Sequence, residues 1–453
     1  MSVVILGAGL TGLSTAYHLE QQGFYDYKIF EKDAISGGLC RSIEQDGFTF
    51  DFTGHLLHSN DAYFSTFLNT VCGPDAFNAI QRRSFIYSHD TYTHFPFQSN
   101  LYGLPADVIV ECIEGFIKKP TKLAKNASFH DWAVHMFGDG ITKHFFDPYQ
   151  TKIFAYDINK ITASWTGRFV PNTSLTDLIK AAIAPQVSSS AGYNPQFLYP
   201  KKGGIFSLIQ GITKQITNPI KTKYSVESID LKNKIITFAN GDFERFETLI
   251  NTIPLDIFLE KLKEPSSVSL RKQSSKLLCN SIANFNLGVQ NPNISDKHWV
   301  YLPEEKFPQY RMGFYHNFST HMTPPGCSSV YGEFAYLKST DPIRIQEAIS
   351  QGIASTQKLL EISPAQIITE RTIHISHAYV LFDFWREKNL PKIHEILLQN
   401  NIHSIGRYGA WKYSSMQESV LDGKTMAELI VSQNTGTLPY LTPPLSKIDR
   451  IQS

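Results

Sequence analysis

Cysteine is scarce and never paired by spacing. Cys40, Cys72, Cys112, Cys279 and Cys327 are the five in the chain. With no Cys-x-x-Cys among them, neither a zinc ribbon nor a disulfide framework is indicated, no metal is expected, and a reducing compartment is. Charge of either sign is not in excess. The 42 Lys+Arg face 41 Asp+Glu, which excludes a global attraction to nucleic acid or to an acidic membrane surface. No apolar run approaches the ~20 residues that span a bilayer. The apolar start of the chain has no basic lead and no cleavage site, so neither a membrane span nor a signal peptide is expected. Internal repeats and long low-complexity tracts are missing as well, and there is no signature of a Ser, Cys or Asp nucleophile. These absences leave a cytoplasmic globular protein as the expectation.

What is abundant is aromatic. Phe, Trp and Tyr make up 13% of the chain, with 31 Phe and 21 Tyr, a composition that suits a ring-lined site. At 453 residues the chain is too long for one ordinary core and fits two or three domains.

The most informative stretch is the first. Val3-Val4-Ile5-Leu6 reads as a short buried strand. Gly7, Gly9 and Gly12 follow at the spacing of a tight turn, a close backbone approach to a pyrophosphate, and close helix–strand packing. A helix is expected over 13–22, with its N-terminal N–H groups facing the phosphates. A second strand, 27–30, ends at Glu31, near the distance at which a carboxylate meets a ribose hydroxyl. Strand, glycines, helix, strand and acid occur in order, which points to a dinucleotide rather than to a glycine-rich turn without ligand. Gly37-Gly38-Leu39-Cys40-Arg41 then adds a second Gly pair followed by Arg. That pair reads either as part of an FAD fingerprint or as a surface turn with a solvated Arg. His55 and His58, three apart beside Gly54, read as metal ligands or, more commonly, as satisfied structural histidines; Gly54 would let the backbone approach a ring system that His55 then faces.

Further along, strands are expected at 47–52, 84–88, 246–253, 282–288, 299–302, 310–318 and 330–336, with strand, turn and strand over 224–238. Helices are expected at 105–118, 129–137, 205–215, 346–360 and 420–431. The tail, 436–453, holds Pro439, Pro443 and Pro444 and reads as a loosely packed extension.

Taken together, the motifs resemble the UDP-galactopyranose mutase family, most closely its eukaryotic-type branch, within the amine-oxidase-like FAD flavoproteins. The resemblance runs in order over most of residues 3–431. It rests on the glycine fingerprint and Gly37-Gly38, and more specifically on Gly54-His55, Pro96-Phe97-Gln98-Ser99-Asn100, Pro148-Tyr149, Gly167-Arg168, Pro200 with Gly203-Gly204, Trp299-Val300-Tyr301, Tyr310-Arg311 and Gly406-Arg407-Tyr408-Gly409-Ala410-Trp411-Lys412-Tyr413. It implies an α/β fold: a Rossmann-type FAD-binding domain over 1–90 with 200–270 and 400–435, a largely helical insertion over 100–195, and a mixed or antiparallel β-rich substrate domain over 271–399 with 91–100.

The resemblance also implies an activity and a site. The family interconverts UDP-galactopyranose and UDP-galactofuranose with reduced FAD, whose N5 forms a covalent adduct with the sugar, and with no net redox change. FAD contacts are implied at Gly7, Gly9, Thr11, Gly12, Glu31, Gly38, Leu39, Arg41, Gly54, His55, Val226, Arg407 and Tyr413. Arg168 and Arg311 match the arginines that hold the substrate pyrophosphate, a task suited to planar guanidinium forks; with His55 they are the implied catalytic group. Trp299, Tyr301, Tyr379, Tyr413 and Asn194 match substrate-binding positions. Gln150 and Phe154 stand where the family usually has Asn and Trp, and Leu57 or its neighbour replaces an aromatic, which puts the identity of the sugar in question. Expected partners are a UDP-sugar and a reductant such as NAD(P)H or a flavin reductase; a homo-oligomer is compatible. Two rivals stand beside this reading: an amine-oxidase-like enzyme that transfers hydride, and a flavin-binding module without catalysis.

Overall fold

The computed structural model describes residues 2–167, 170–185, 195–263 and 267–435. Its architecture is mixed α/β with a Rossmann-like nucleotide-binding unit. Val3–Leu6 is buried at all four positions because it is the central strand of a five-stranded parallel sheet. The order is Ile402–Ser404, Thr248–Asn251, Val3–Leu6, Tyr27–Phe30, Ile220–Lys221. A strand covered on both faces must be apolar throughout rather than alternating, which is what Val-Val-Ile-Leu provides. The helix Leu10–Gln21 follows it. The C-terminal helix Met416–Thr435 packs along that helix so closely that a Cβ on Gly423 would lie 2.7 Å from Ser14.

A second, seven-stranded sheet has the order Ile367–Ile375, Ser281–Val289, Ser328–Tyr336, Arg311–Gly313, Trp299–Tyr301, Ser84–Ser88, Thr91–His94. All its pairings are antiparallel except Trp299–Tyr301 with Ser84–Ser88, which is parallel. Ser84–Ser88 falls within the range expected for the FAD-binding domain, yet it belongs to this sheet. Helices Ala106–Lys118, Phe129–Ile141, Asp147–Phe154 and Leu175–Ile183 lie between Thr91–His94 and the strand Gln196–Pro200.

Several local expectations shift for physical reasons. The strand expected over 310–318 shrinks to Arg311–Gly313, because the chain turns into a 3-10 segment at Tyr315–Asn317. The strand at 47–52 does not alternate; Phe48–Asp51 is buried throughout. The long edge strand Ile367–Ile375 and the helix Phe384–Gln399 carry no clear periodic signal, the helix holding Pro391 inside it.

The interior also holds titratable groups. His18 is 4% exposed and His298 2%, and burial pushes both rings down to about 4. His298 Nδ1 accepts the Arg83 N–H at 2.8 Å, so that nitrogen must be unprotonated in the fold. A histidine pKa depressed by folding favours the neutral form. Its contribution is intact above the unfolded value of 6.5, declines as pH falls below it, and is gone near pH 4. Each such ring is worth at most about 3 kcal/mol across that window. Buried Asp51, pushed up to about 6 by burial, acts in the opposite sense. The Tm is therefore expected to fall between pH 6.5 and 4, and to fall less in a His18→Gln/His298→Gln variant. An identical pH slope in the two proteins, measured by calorimetry, would remove these rings as the cause.

Candidate active site

The glycine turn is shaped by contacts that leave no room for side chains. Gly7 has φ +95°, and a Cβ on Gly12 would lie 2.0 Å from the Gly7 carbonyl oxygen, so Gly12 serves helix–strand packing. Gly9 occupies the N-cap of Leu10–Gln21 and offers no side-chain cap. The first-turn N–H groups are therefore open to an anion. Gly38 approaches Gly9 so that an added Cβ would lie 3.3 Å from the Gly9 Cα, and the Gly37 N–H donates to the Ala8 carbonyl at 2.7 Å. Buried Glu31 accepts from the Ala8 N–H and the Asp33 N–H, both at 2.9 Å, which fixes its carboxylate beside the turn. Tyr224 N–H donates to the Glu31 carbonyl at 2.8 Å, bringing the hairpin that contains Val226 to the same edge. Arg41 donates to the Gly38 carbonyl at 2.8 Å, pairs with Asp33 at 3.1 Å and stacks over Phe52. Gly406, at φ +78°, abuts buried Thr11, so the 406–413 segment reaches the cradle from the other end of the chain. Leu39 packs against the large core beside it.

The loop after Phe48–Asp51 carries Gly54 and His55. A Cβ on Gly54 would lie 2.2 Å from the Tyr331 hydroxyl, so the close approach that requires glycine here is to that hydroxyl. The His55 Nδ1 donates to the Thr53 carbonyl at 3.3 Å; a carbonyl only accepts, so Nδ1 carries the proton and Nε2 the lone pair. Burial pushes the ring down to about 4, which keeps it neutral at pH 7. Metal ligation is not supported: among the described residues no group of three or more His, Cys, Asp or Glu is placed to hold an ion.

Beside that loop Arg311 meets Glu333, whose side chain is 0% exposed. Arg311 Nε and Nη2 donate to Glu333 at 3.1 and 2.8 Å, and the Tyr310 hydroxyl donates to the same carboxylate at 2.5 Å. The Gly54 N–H also points to it, at 3.4 Å. Burial works against the Arg311 charge, but Glu333 more than restores it. The fork expected to grasp a phosphate is therefore engaged internally through Nε and Nη2.

A tyrosine wall continues from there. Tyr310 contacts Tyr149 and Tyr379 at ring separations of 6.3 and 6.5 Å, Tyr149 meets Tyr301 at 5.4 Å, and Tyr379 stacks on Tyr413 at 6.4 Å. Phe154 meets Tyr379 edge-on at 6.4 Å, and Gln150 is buried on the same helix. Arg407 lies 5.0 Å from the Tyr413 ring and donates to the Ser414 and Ala378 carbonyls. Tyr413 is 37% exposed, so the wall opens to solvent there.

Two residues escaped sequence reading. Arg82 donates to the Tyr301 hydroxyl at 3.2 Å and is sandwiched between Phe95 and Trp299. Glu333 is the single charged residue in the strand Ser328–Tyr336, and that isolation is its one sequence signal. Trp299 keeps a packing role, 4% exposed in an aromatic core. Arg168 and Asn194 lie outside the described residues.

Residues 5–71 match the NAD(P)-binding Rossmann-like domain family. A 4,4'-diapophytoene desaturase (4,4'-diaponeurosporene-forming) of Staphylococcus aureus (strain MRSA252) is 36% identical over 294 residues, 58% of this chain and 57% of that enzyme. The same enzyme from strain bovine RF122 / ET3-1 aligns over 92 residues, only 18% of its length. The crystal structure of a reduced UDP-galactopyranose mutase superposes with a TM-score of 0.90 at 25% identity, covering 95% of this chain and 96% of that one. Putrescine oxidase bound to putrescine superposes at 0.65 and 13% identity, over 95% of this chain and 99% of its own, a likeness of fold alone.

Removing the carboxylate from the Arg311 pair should leave a largely buried cation unmatched. Glu333→Gln is expected to lower stability by about 3 kcal/mol, read by urea unfolding. A loss below about 0.5 kcal/mol would show that the pair is not holding Arg311.

Proposed function

We propose that this chain, whose fold is that of UDP-galactopyranose mutase within the amine-oxidase-like FAD superfamily, is a flavin-dependent nucleotide-sugar mutase that interconverts the pyranose and furanose forms of a UDP-hexose. FAD is the cofactor that this superfamily indicates, and the cradle fits it: an uncapped helix N-terminus, a glycine pair in near-contact with Gly9, and an anchored carboxylate. The observation that carries the reading is the meeting of Arg311, Arg407, Tyr379 and Tyr413 in one solvent-reaching cluster beside the Gly54–His55 loop.

The chemistry of those residues suits the task. Reduced FAD, when bound, supplies a nucleophile for the anomeric carbon without net electron transfer. The chain's own part is to hold the diphosphate and stabilise it as it leaves. Arg311 is neutralised by Glu333, but Arg407 meets carbonyl dipoles and tyrosine rings rather than a carboxylate among the described residues, so the wall carries net positive charge. Burial raises the Tyr379 phenol, which keeps it protonated as a donor. Fixed donors of this kind act where charge develops and need no reorganisation. Arg168 is proposed as the second phosphate cation and Asn194 as a sugar or diphosphate contact. Gln150 and Phe154 would line the sugar or uridine pocket and set preference among UDP-sugars.

The desaturase likeness favours a second reading, net hydride transfer on an apolar substrate. Electron bookkeeping separates the two. Dithionite-reduced protein is expected to isomerise UDP-galactopyranose with no electron consumption, and oxidised protein to be inactive. Stoichiometric peroxide, or a dehydrogenated product, would instead establish the oxidoreductase. Within the first reading, Arg311→Ala and Arg168→Ala should each cost roughly 2–4 kcal/mol in kcat/KM with kcat depressed and FAD content unchanged. Gln150→Asn with Phe154→Trp should shift relative kcat/KM among UDP-sugars by about tenfold.

A further inference from the structure

The helix Asp147–Phe154 buries Tyr149, Gln150 and Phe154. Lys152 departs from it in another direction. Its ammonium donates to three backbone carbonyls: Leu302 at 2.5 Å, Gln309 at 2.9 Å and Glu304 at 3.1 Å. All three belong to the connection between the strands Trp299–Tyr301 and Arg311–Gly313. Leu302 directly follows Tyr301, and Gln309 directly precedes Tyr310 and Arg311. An ammonium has three donors, and here each is spent on this one connection. The Glu304 carboxylate turns away to Lys306 at 3.2 Å. Burial pushes the Lys152 amine down to about 7, but three carbonyl acceptors are met only by the three-donor ammonium form, which they solvate much as they would a bound potassium or ammonium ion.

Edge-on ring contacts of Tyr149 with Tyr301 and Tyr310 also join these two walls. Such contacts are favourable over a range of offsets and tolerate sliding. Charge-assisted hydrogen bonds are shorter and directional. The far side of the connection is pinned separately: the Gln309 amide donates to Ser355 and Thr356 on the helix Pro342–Leu360.

We infer that Lys152 is a positioning residue whose ammonium sets the gap between the Gln150–Phe154 helix and the Tyr301–Arg311 connection, and with it the fit of the nucleotide sugar between them. The inference rests on the mutase reading for its ligand but not for its geometry. Lys152 touches no reacting atom; it acts through Tyr301 and Arg311.

Three variants of the full-length holoprotein test it. Lys152→Met keeps the stem and removes the charge, Lys152→Ala empties the channel, and Lys152→Arg keeps a cation. Hydrogen exchange of residues 302–310 needs no substrate and is expected to quicken in Met and Ala but not in Arg. In the reduced enzyme, Met and Ala should raise KM for UDP-galactopyranose about tenfold, with kcat within about threefold and FAD content unchanged. Ammonium or ethylammonium chloride should restore KM in the Ala variant, and not in the Met variant, whose side chain fills the channel. Unchanged exchange in 302–310 would overturn the inference, as would an unchanged KM in both variants or a KM defect that neither Arg nor added ammonium relieves. If the wild-type protein does not turn over UDP-sugars, the mutase reading falls, and exchange alone then decides the clamp: quickened supports it, unchanged overturns it. Should the Ala variant not fold, the Met and Arg pair carries the same comparison.

Discussion

One buried carboxylate organises the junction on which the site is built. Asp51 is 0% exposed, and its oxygens accept from Ser42 Oγ at 2.6 Å, the Tyr199 hydroxyl at 2.6 Å and the Ile205 N–H at 3.2 Å. Its own carbonyl accepts from Asn284 and from Tyr315. Burying a carboxylate is costly unless it is well hydrogen-bonded, and here each bond comes from a different part of the chain. Ser42 pairs across the hairpin, Tyr199 belongs to Gln196–Pro200, Ile205 opens the helix Phe206–Thr213, and Asn284 lies in the seven-stranded sheet. The chain leaves Asp51 directly into the Thr53-Gly54-His55 loop. The loop therefore departs from the place where the Ser42–Asp51 hairpin, the strand Gln196–Pro200, the helix Phe206–Thr213 and the seven-stranded sheet are tied together.

That tie also explains residues whose sequence signal looks ligand-like. Gly203-Gly204 is one of the motifs that carry the family resemblance. In the fold, a Cβ on Gly204 would lie 2.3 Å from Ser42 Oγ and 2.6 Å from Asp51. Both glycines have positive φ, and together they let Asp51 and Ser42 cap the helix that follows. Gly54 behaves alike, its side-chain space taken by the Tyr331 hydroxyl. A glycine requirement is legible in sequence, but the group that imposes it is not.

The nucleotide cradle was the most readable part because its determinants are local: a strand, a turn and a helix within some thirty residues, each setting the next. The tyrosine wall was readable only through resemblance. Tyr149, Tyr301, Tyr379 and Tyr413 are separated by tens to hundreds of residues, and composition alone says only that rings are plentiful. Glu333 and Arg82 were missed for the same reason. An ion pair between residues 22 apart on neighbouring strands leaves no periodicity, and a stacked guanidinium has no spacing rule. The bidentate clamp expected of Arg311 illustrates the difference: the residue type was informative, while the direction its fork faces depended on a partner that only the fold supplies.

The five-stranded sheet has a consequence for how the chain is made. Its central strand, Val3–Leu6, is made before all of its sheet partners, yet one neighbour, Thr248–Asn251, arrives some 245 residues later, and the edge strand Ile402–Ser404 some 150 after that. Pairing over such separations must wait for distant partners and is intrinsically slow. During synthesis at roughly 5–20 residues per second, Val3–Leu6 can pair early with Tyr27–Phe30 on one side but spends many seconds with its other edge unpaired. A nascent chain stopped between residues 42 and 402 has the complete fingerprint in its sequence and no completed sheet to display it. The edge of Val-Val-Ile-Leu that awaits Thr248–Asn251 is the segment with most need of protection until then.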